Sequence, residues 1–277
     1  MARTIVPTQD QPIGVFDSGV GGLTVVRALL RELPHEELVY LGDTARVPYG
    51  SKSSETVLRY CQLSTGFLLA QQVKLIIVAC NTASALALDR LQLPVPTLGV
   101  IAPGAALAAT TTRSGHIGVI GTLGTVRSAA YERAVKSHDA RLQVFAHACP
   151  LLVPLAEEGW IDDPIAEAIA RRYLGELRER APDIDVLVLG CTHYPILRSV
   201  LERIAHELFS PQLVVIDSAQ AMALAAKEAL RELQLHRSSP DKPAQPSRFF
   251  VTDESRLAEI GARFLGVPLA HLQRVDL

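Results

Sequence analysis

The sequence predicts an α/β fold of two similar lobes, each a mostly parallel sheet flanked by helices and related by internal duplication. Three observations carry this expectation. Short apolar runs alternate with helical stretches along most of the chain, which is the pattern of βαβ units. Two runs, Leu75-Ile76-Ile77-Val78 and Val186-Leu187-Val188-Leu189, lead into the similar segments Ala79-Cys80-Asn81-Thr82 and Gly190-Cys191-Thr192-His193. The stretch Ile13-Gly14-Val15-Phe16-Asp17 and its glycine turn are mirrored by Ile117-Gly118-Val119-Ile120-Gly121, and Gly14 to Cys80 spans about as much chain as Gly118 to Cys191. A crevice between two such lobes is the economical place for a ligand.

Composition narrows the class. The chain has 277 residues, enough for one large or two ordinary domains. A formal net charge of -2 offers no basic field, so nucleic acid is not an expected partner. No apolar run reaches the ~18 residues of a membrane span, and Met1–Pro7 lacks the apolar core of a secretory signal. A cytoplasmic protein with no membrane partner is expected. Its four thiols, Cys61, Cys80, Cys149 and Cys191, are then reduced. No C-x-x-C spacing suggests a structural metal, and none is expected.

The elements follow in order. Ile13–Asp17 reads as a first strand, Ser18-Gly19-Val20-Gly21-Gly22 as a turn, and Leu23–Leu33 as a helix that Pro34 stops. Glu37–Asp43 is a second strand and Thr44–Gly50 a loop. Ser53 or Ser54 caps a helix over Glu55–Gln72. The Cys80 strand follows, then a short strand over Thr97–Ile101. The second unit has strands at His116–Gly121 and Leu142–Ala146, and helices over Ser128–Ser137 and from Pro164 to Arg180. It closes on the Cys191 strand. A strand at Leu213–Asp217, a helix over Ala219–Leu235, a Pro/Ser-rich loop at Ser238–Ser247 and a strand at Arg248–Thr252 complete the chain. Asp253 is read as the cap of a last helix that Gly266 ends.

Cys80 and Cys191 stand at equivalent strand ends, where an open parallel sheet exposes its ligand site. Two thiols on facing walls suit a racemisation, since one base removes a proton from one face of a carbon and another returns a proton to the opposite face. Each thiol precedes an expected helix start, which predicts a lowered thiol pKa. Asp17, at the end of the first strand, is placed to orient Cys80 or the substrate. His193 is placed to serve Cys191 in the same way. Cys61, inside a helix, and Cys149, without an adjacent acid–base group, read as buried structural thiols. Two rivals stand beside this reading. Gly19-x-Gly21-x-x-Thr24 with Asp43 resembles a dinucleotide fingerprint, although Thr24 replaces the third glycine. In the racemisation reading the same turn's amides hold a substrate carboxylate instead. A pyridoxal enzyme would need a Schiff-base lysine, and none of Lys52, Lys74, Lys136, Lys227 and Lys242 reads as projecting into the crevice.

Ile13–Val25 (Ile-Gly-Val-Phe-Asp-Ser-Gly-Val-Gly-Gly-Leu-Thr-Val), Asp43–Gly50 (Asp-Thr-Ala-Arg-Val-Pro-Tyr-Gly), Ala79–Ser84 (Ala-Cys-Asn-Thr-Ala-Ser) and Leu189–Tyr194 (Leu-Gly-Cys-Thr-His-Tyr) closely resemble the glutamate racemases of the aspartate/glutamate racemase family. The motifs stand in the family's order and cover about residues 12 to 266. The resemblance implies a cofactor-independent racemase that supplies D-glutamate for bacterial peptidoglycan, with no cofactor, glutamate as its small-molecule partner, and a homodimer as the assembly to test. It implies Cys80 and Cys191 as the catalytic thiols, Asp17 and Ser18 as acid and substrate-binding serine, and substrate contacts from Tyr49, Gly50, Asn81, Thr82, Thr192 and His193. Thr122 and Thr125 fit the family's Gly-Thr-x-x-Thr turn. Glu157 matches a catalytic carboxylate, with Glu158 leaving the register open. It also implies a first lobe of residues 1–102 plus 218–277 and a second of 103–217. A racemase of the same fold acting on aspartate or another amino-acid derivative is the alternative enzyme. A two-lobed dicarboxylate-binding protein is the alternative of another class.

Overall fold

The computed structural model describes residues 7–237, 247–269 and 271–277. The expected loop at Ser238–Ser247 lies outside the described residues apart from Ser247, as do the first six residues of the N-terminal lead-in. In chain order β1 (Ile13–Asp17), α1 (Leu23–Glu32), β2 (Leu38–Gly42), α2 (Ser54–Ala70), β3 (Leu75–Val78), α3 (Asn81–Leu86), β4 (Thr97–Gly99) and α4 (Ile101–Thr111) form the first run of elements. The second comprises β5 (His116–Gly121), α5 (Leu123–Arg127), α6 (Ala130–His138), β6 (Gln143–Ala148), α7 (Leu152–Glu158), α8 (Pro164–Arg180), β7 (Val186–Gly190), α9 (Arg198–Leu208), β8 (Val214–Asp217) and α10 (Ser218–Glu232). The chain ends with β9 (Arg248–Val251), α11 (Ser255–Leu265) and β10 (Leu272–Arg274).

The strands make two sheets, ordered β10-β9-β2-β1-β3-β4 and β6-β5-β7-β8, and every pairing is parallel. The order 2-1-3-4 of the first repeat recurs as 6-5-7-8, so the duplication seen in the sequence is one of topology. Gly14 and Gly118 occupy matching places in the two central strands, Gly14 beside Val39 and Ile76, Gly118 beside Phe145 and Leu187. A Cβ on Gly14 would press on Val73 and Leu68 at 3.1–3.2 Å, and one on Gly118 on Ile184 and Leu177 at the same distances. The covering layer sits equally close in both halves, and glycine makes the room.

Helices cover both faces of each sheet, which is why the strands read as continuous apolar runs. Side-chain alternation then decides what each strand end presents. Ile76, Val78 and Cys80 belong to one apolar cluster, and Leu75, Ile77 and Ala79 to the cluster on the opposite face. In the second sheet Leu187, Leu189 and Cys191 share a face, while Val186 and Val188 pack on the other.

Several elements depart from the sequence reading. Helix α4 fills a stretch, after Ile101, to which the sequence reading assigned no element. Pro103 falls in the first turn, where a missing N–H costs little. Helix α9 and strand β10 also went unread. Helix α6 starts at Ala130 because Ala129 takes a left-handed φ of 53°. Glu254, not Asp253, precedes α11, which Gly266 ends at φ 84° as expected. Ser53 caps α2 by accepting the Thr56 amide, and Asp163 caps α8 with Pro164 at its first position.

At the amino ends of the strands, away from the crevice, Lys74 is completely buried. Its Nζ donates to Glu36 Oε2 (2.6 Å), Gln9 O (2.7 Å) and Leu235 O (2.8 Å), and Glu36 Oε1 accepts the Arg237 amide (2.8 Å). One ionic knot ties the lead-in, β3 and the segment after α10. Lys74→Met keeps the stem's packing but leaves Glu36 buried without its cation. Urea unfolding should show a loss of roughly 3–5 kcal/mol, the cost of stranding one partner of a buried pair. A loss under about 1 kcal/mol, the range of exposed pairs, would show that the knot is not a buried ionic contact in solution.

Candidate active site

Both sheets turn their carboxyl ends toward one crevice. On the first wall, Cys80 leaves β3 in an extended conformation (φ -66°, ψ 120°) and caps α3, its Sγ accepting the Ala83 amide at 3.4 Å. The thiol donates to Ser18 Oγ at 3.4 Å. Burial, with the Asp17 charge added, pushes Cys80 up to about 12, against the opposing pull of the Ser18 and Ala83 hydrogen bonds. The lowered pKa expected at a helix start is therefore corrected for Cys80: α3 is six residues long, and desolvation outweighs its amides.

Asp17 lies beneath this wall and does not line the cavity. Its Oδ2 accepts the Gly19 amide at 2.9 Å, and its Oδ1 has no hydrogen-bond partner among the described residues. Burial raises its pKa, while the His193 charge and the amides of Gly19, Gly22 and Ser18 pull the other way. The partner of Cys80 is Ser18 rather than Asp17, so Asp17 acts on the thiol through its field. The Gly19 amide is thereby engaged, and Ser18 is the residue of the glycine turn that reaches the cavity. Of the turn's amides, that of Gly19 is thus taken by Asp17. Tyr49 and Gly50 complete the wall, with Tyr49 OH donating to Asp43 Oδ2 at 2.5 Å.

The second wall carries different chemistry. Cys191 follows β7 and is 5% exposed, like Cys80. A 3-10 turn, Tyr194–Leu197, comes after it in place of the expected helix start. His193 Nδ1 stands 3.8 Å from Cys191 Sγ, and His193 Nε2 stands 3.0 Å from Glu157 Oε1. Burial opposes the imidazolium, but the hydrogen bonds to Cys191 and Glu157 and their charges outweigh it, and His193 is pushed up to about 10. The His193 hydrogen bond holds Glu157 below the ordinary carboxylate range against burial, with Arg256 helping. Glu158 points away and lies 3.2 Å from Arg256. The structure thus sets Glu157, not its neighbour, against His193.

A polar seam joins the walls. The hydroxyls of Thr82 and Thr122 lie 2.8 Å apart, and those of Thr122 and Thr125 3.0 Å. Tyr131 OH donates to Asn81 Oδ1 at 2.7 Å, and Thr24 Oγ1 lies 2.9 Å from Thr192 O. Asn81, Thr82, Thr122 and Thr192 line the cavity, whereas Thr125 stands behind Thr122. A Cβ on Gly21 would lie 2.4 Å from Thr192 Oγ1 and 2.5 Å from His193 Nδ1. The glycine turn is thus pressed against the second wall, which leaves no open groove for the dinucleotide reading. The cavity volume is about 60 Å³, small beside the roughly 300–1,000 Å³ of ligand pockets, so admission of an amino acid requires the walls or their side chains to move. Val47, Pro48 and Val153 also line it. They carry no polar signature, and the sequence reading passed over them.

Nitrogen-15 NMR should find His193 doubly protonated at pH 8. Glu157→Gln removes an anionic partner and should shift its titration downward, whereas Glu158→Gln should leave it in place. A neutral His193 at pH 8 in the unmodified protein would contradict the charge assignment.

Comparison with known proteins agrees with this geometry. The family described as Asp/Glu/Hydantoin racemase matches residues 13–226. The glutamate racemase of Geobacter metallireducens is 49% identical over 96% of both chains, and that of Syntrophus aciditrophicus 50% identical over 96% of this chain and 97% of its own. Two crystal structures superpose closely. One is glutamate racemase isoform RacE1 from Bacillus anthracis (TM-score 0.88, 38% identity, 97% and 98% of the two chains). The other is glutamate racemase from Francisella tularensis in complex with D-glutamate (TM-score 0.87, 35% identity, 97% and 98%). With matching motifs, fold and near full-length identity, the chain belongs to the aspartate/glutamate racemase family, alongside its glutamate racemases.

Proposed function

We propose that this protein interconverts L- and D-glutamate by a two-thiol proton transfer that uses no cofactor. The observation that carries the reading is the pair of thiols brought from equivalent strand ends to opposite walls of one cavity, each with its own hydrogen-bond partner. One thiolate takes the α-proton, the electron pair stays on the α-carbon, and the other thiol delivers its proton to the opposite face. Burial keeps Cys80 a thiol at neutral pH, which makes it the donor in the resting enzyme. Cys191, beside the His193–Glu157 pair, faces Cys80 from the other wall. By family resemblance Cys191 attacks L-glutamate and Cys80 attacks D-glutamate. Ser18, Tyr49, Gly50, Asn81, Thr82, Thr122, Thr125 and Thr192 are assigned to holding the substrate or the groups that do so.

The wider reading follows from this one. The reaction supplies D-glutamate to peptidoglycan synthesis in the cytoplasm. Among the described residues no helix is long and apolar enough to cross a membrane. The proposed lobes are residues 1–102 with 218–277, and 103–217. Support comes from β9 and β10 extending the first sheet, although the limit near 102 falls in the first turn of α4. A homodimer is proposed from Leu151, Trp160 and Ile165, three apolar side chains about half exposed between the end of β6 and the first turn of α8.

Two experiments test the reading. Purified protein with L-glutamate in D2O, without pyridoxal phosphate, should place deuterium at the α-position and yield D-glutamate. Dependence on added pyridoxal phosphate would overturn it. Comparable kcat/KM for aspartate would move it to a broader racemase, since one methylene is worth only ~1–3 kcal/mol in a pocket. The second concerns the two walls. Cys80→Ser and Cys191→Ser should each abolish racemisation, yet retain elimination from a glutamate analogue with a β-leaving group, which needs proton removal from one face only. Cys80→Ser should process the L-analogue and Cys191→Ser the D-analogue. Loss of the same enantiomer in both variants would refute the two-wall assignment.

A further inference from the structure

Helix α11 follows β9 of the first sheet and packs its apolar side, Leu257, Ile260 and Phe264, into the core. It packs against α1, and two of its arginines reach across the crevice to α7. Arg256 and Arg263, two turns apart and so on one face, both meet the segment that carries Glu157. Arg263 Nη1 donates to Glu157 O at 2.8 Å and lies 3.5 Å from Ala156 O, which also accepts the Gly159 amide that closes α7. Gly159 ends α7 at φ 79°, and a Cβ there would lie 2.5 Å from Arg263 Cζ. Arg256 Nη2 stands 3.4 Å from Glu157 Oε2, while the other oxygen, Oε1, holds His193. Next to Arg263, Phe264 meets the His193 ring edge-on at a centroid distance of 5.4 Å.

We infer that Arg256 and Arg263 are positioning residues for the His193–Glu157 pair, gripping α7 from the opposite wall so that the imidazole stays aimed at Cys191. The inference rests on the racemase reading above. The two Glu157 oxygens are divided between His193 and Arg256, which fixes the carboxylate from both sides. Arg263 fixes the backbone that carries it. Because the grip spans the crevice, it is complete only while the walls are together. The widening that admits substrate loosens it, and closure restores the acid–base alignment at the moment of proton transfer.

The test is racemisation of L-glutamate by Arg256→Gln, Arg263→Met and Arg263→Lys, with thermal melting recorded for each. Arg256→Gln and Arg263→Met should lower kcat by about tenfold or more, part of the 10²–10⁴ that a placed acid–base group supplies, with KM within about threefold. Arg263→Lys should recover most of the rate. In a Glu157→Gln background Arg256→Gln should add little, because both act through one carboxylate. Intact kcat in folded single variants, or full additivity with Glu157→Gln, would overturn the inference. If Arg263→Met fails to fold, the half-exposed Arg256 carries the test alone. An inactive unmodified protein would sink the racemase reading itself, a result separate from these.

Discussion

The constraint on which the structure depends is the near contact of two sheets at their carboxyl ends. Parallel strands deliver their following loops to one edge, and here two such edges face each other with little between them. Where they come closest the chain uses glycine: Gly21 sits under Thr192 and His193, and a Cβ on Gly50 would meet Thr122 Cβ at 2.9 Å. Elsewhere hydroxyls and amides join the walls, as in the threonine cluster and the Asn81–Tyr131 bond, with Val47, Pro48 and Val153 beside them. A seam of this kind is satisfied when closed, and solvent can satisfy the same groups when it opens. That property lets a cavity of about 60 Å³ serve a larger ligand.

Duplication makes the two walls equivalent in topology, and the residues beside each thiol make them different in charge. The first wall pairs a thiol with a neutral hydroxyl above a buried carboxylate. The second pairs a thiol with an imidazole backed by Glu157. In a low-dielectric site these neighbours matter more than they would in water. Negative charge near Cys80 favours its protonated form, and a protonated imidazole near Cys191 compensates an anion there. One sheet architecture thus sets two thiols in unlike surroundings from copies of the same strand end.

Most of the fold was legible because its strands are buried on both faces and so read as unbroken apolar runs. The thiols, His193 and the glycine turn were legible because they lie in contiguous motifs repeated in order. What escaped has two causes. Pro103 and Gly104 mask α4, since a residue type that breaks a helix in its interior is harmless in its first turn or against a neighbour. Arg256, Arg263 and Phe264 carry no local signature: Arg263 meets Glu157 across 106 positions and Arg256 across 99, a proximity only the tertiary fold creates. The direction of the Cys80 shift belongs to the second cause as well. The local signal, a helix start, points down, while the burial that reverses it comes from the assembled walls.

The asymmetry of the walls bears on what happens between turnovers. The enantiomers of an amino acid have equal free energy in water, so kcat/KM must be the same in both directions whatever the walls look like. Charge asymmetry can therefore act only on the bound complexes and on the free enzyme. In the mechanism proposed above, one L-to-D turnover takes the proton from Cys80 and leaves one on Cys191, so the enzyme would leave product in a proton-swapped form. Burial and Asp17 make a Cys80 thiolate unfavourable. The proposed mechanism therefore needs a proton to return to Cys80 before the next L-to-D turnover. The buried Asp17 carboxylate, costly to the fold, adds to the bias toward the Cys80 thiol.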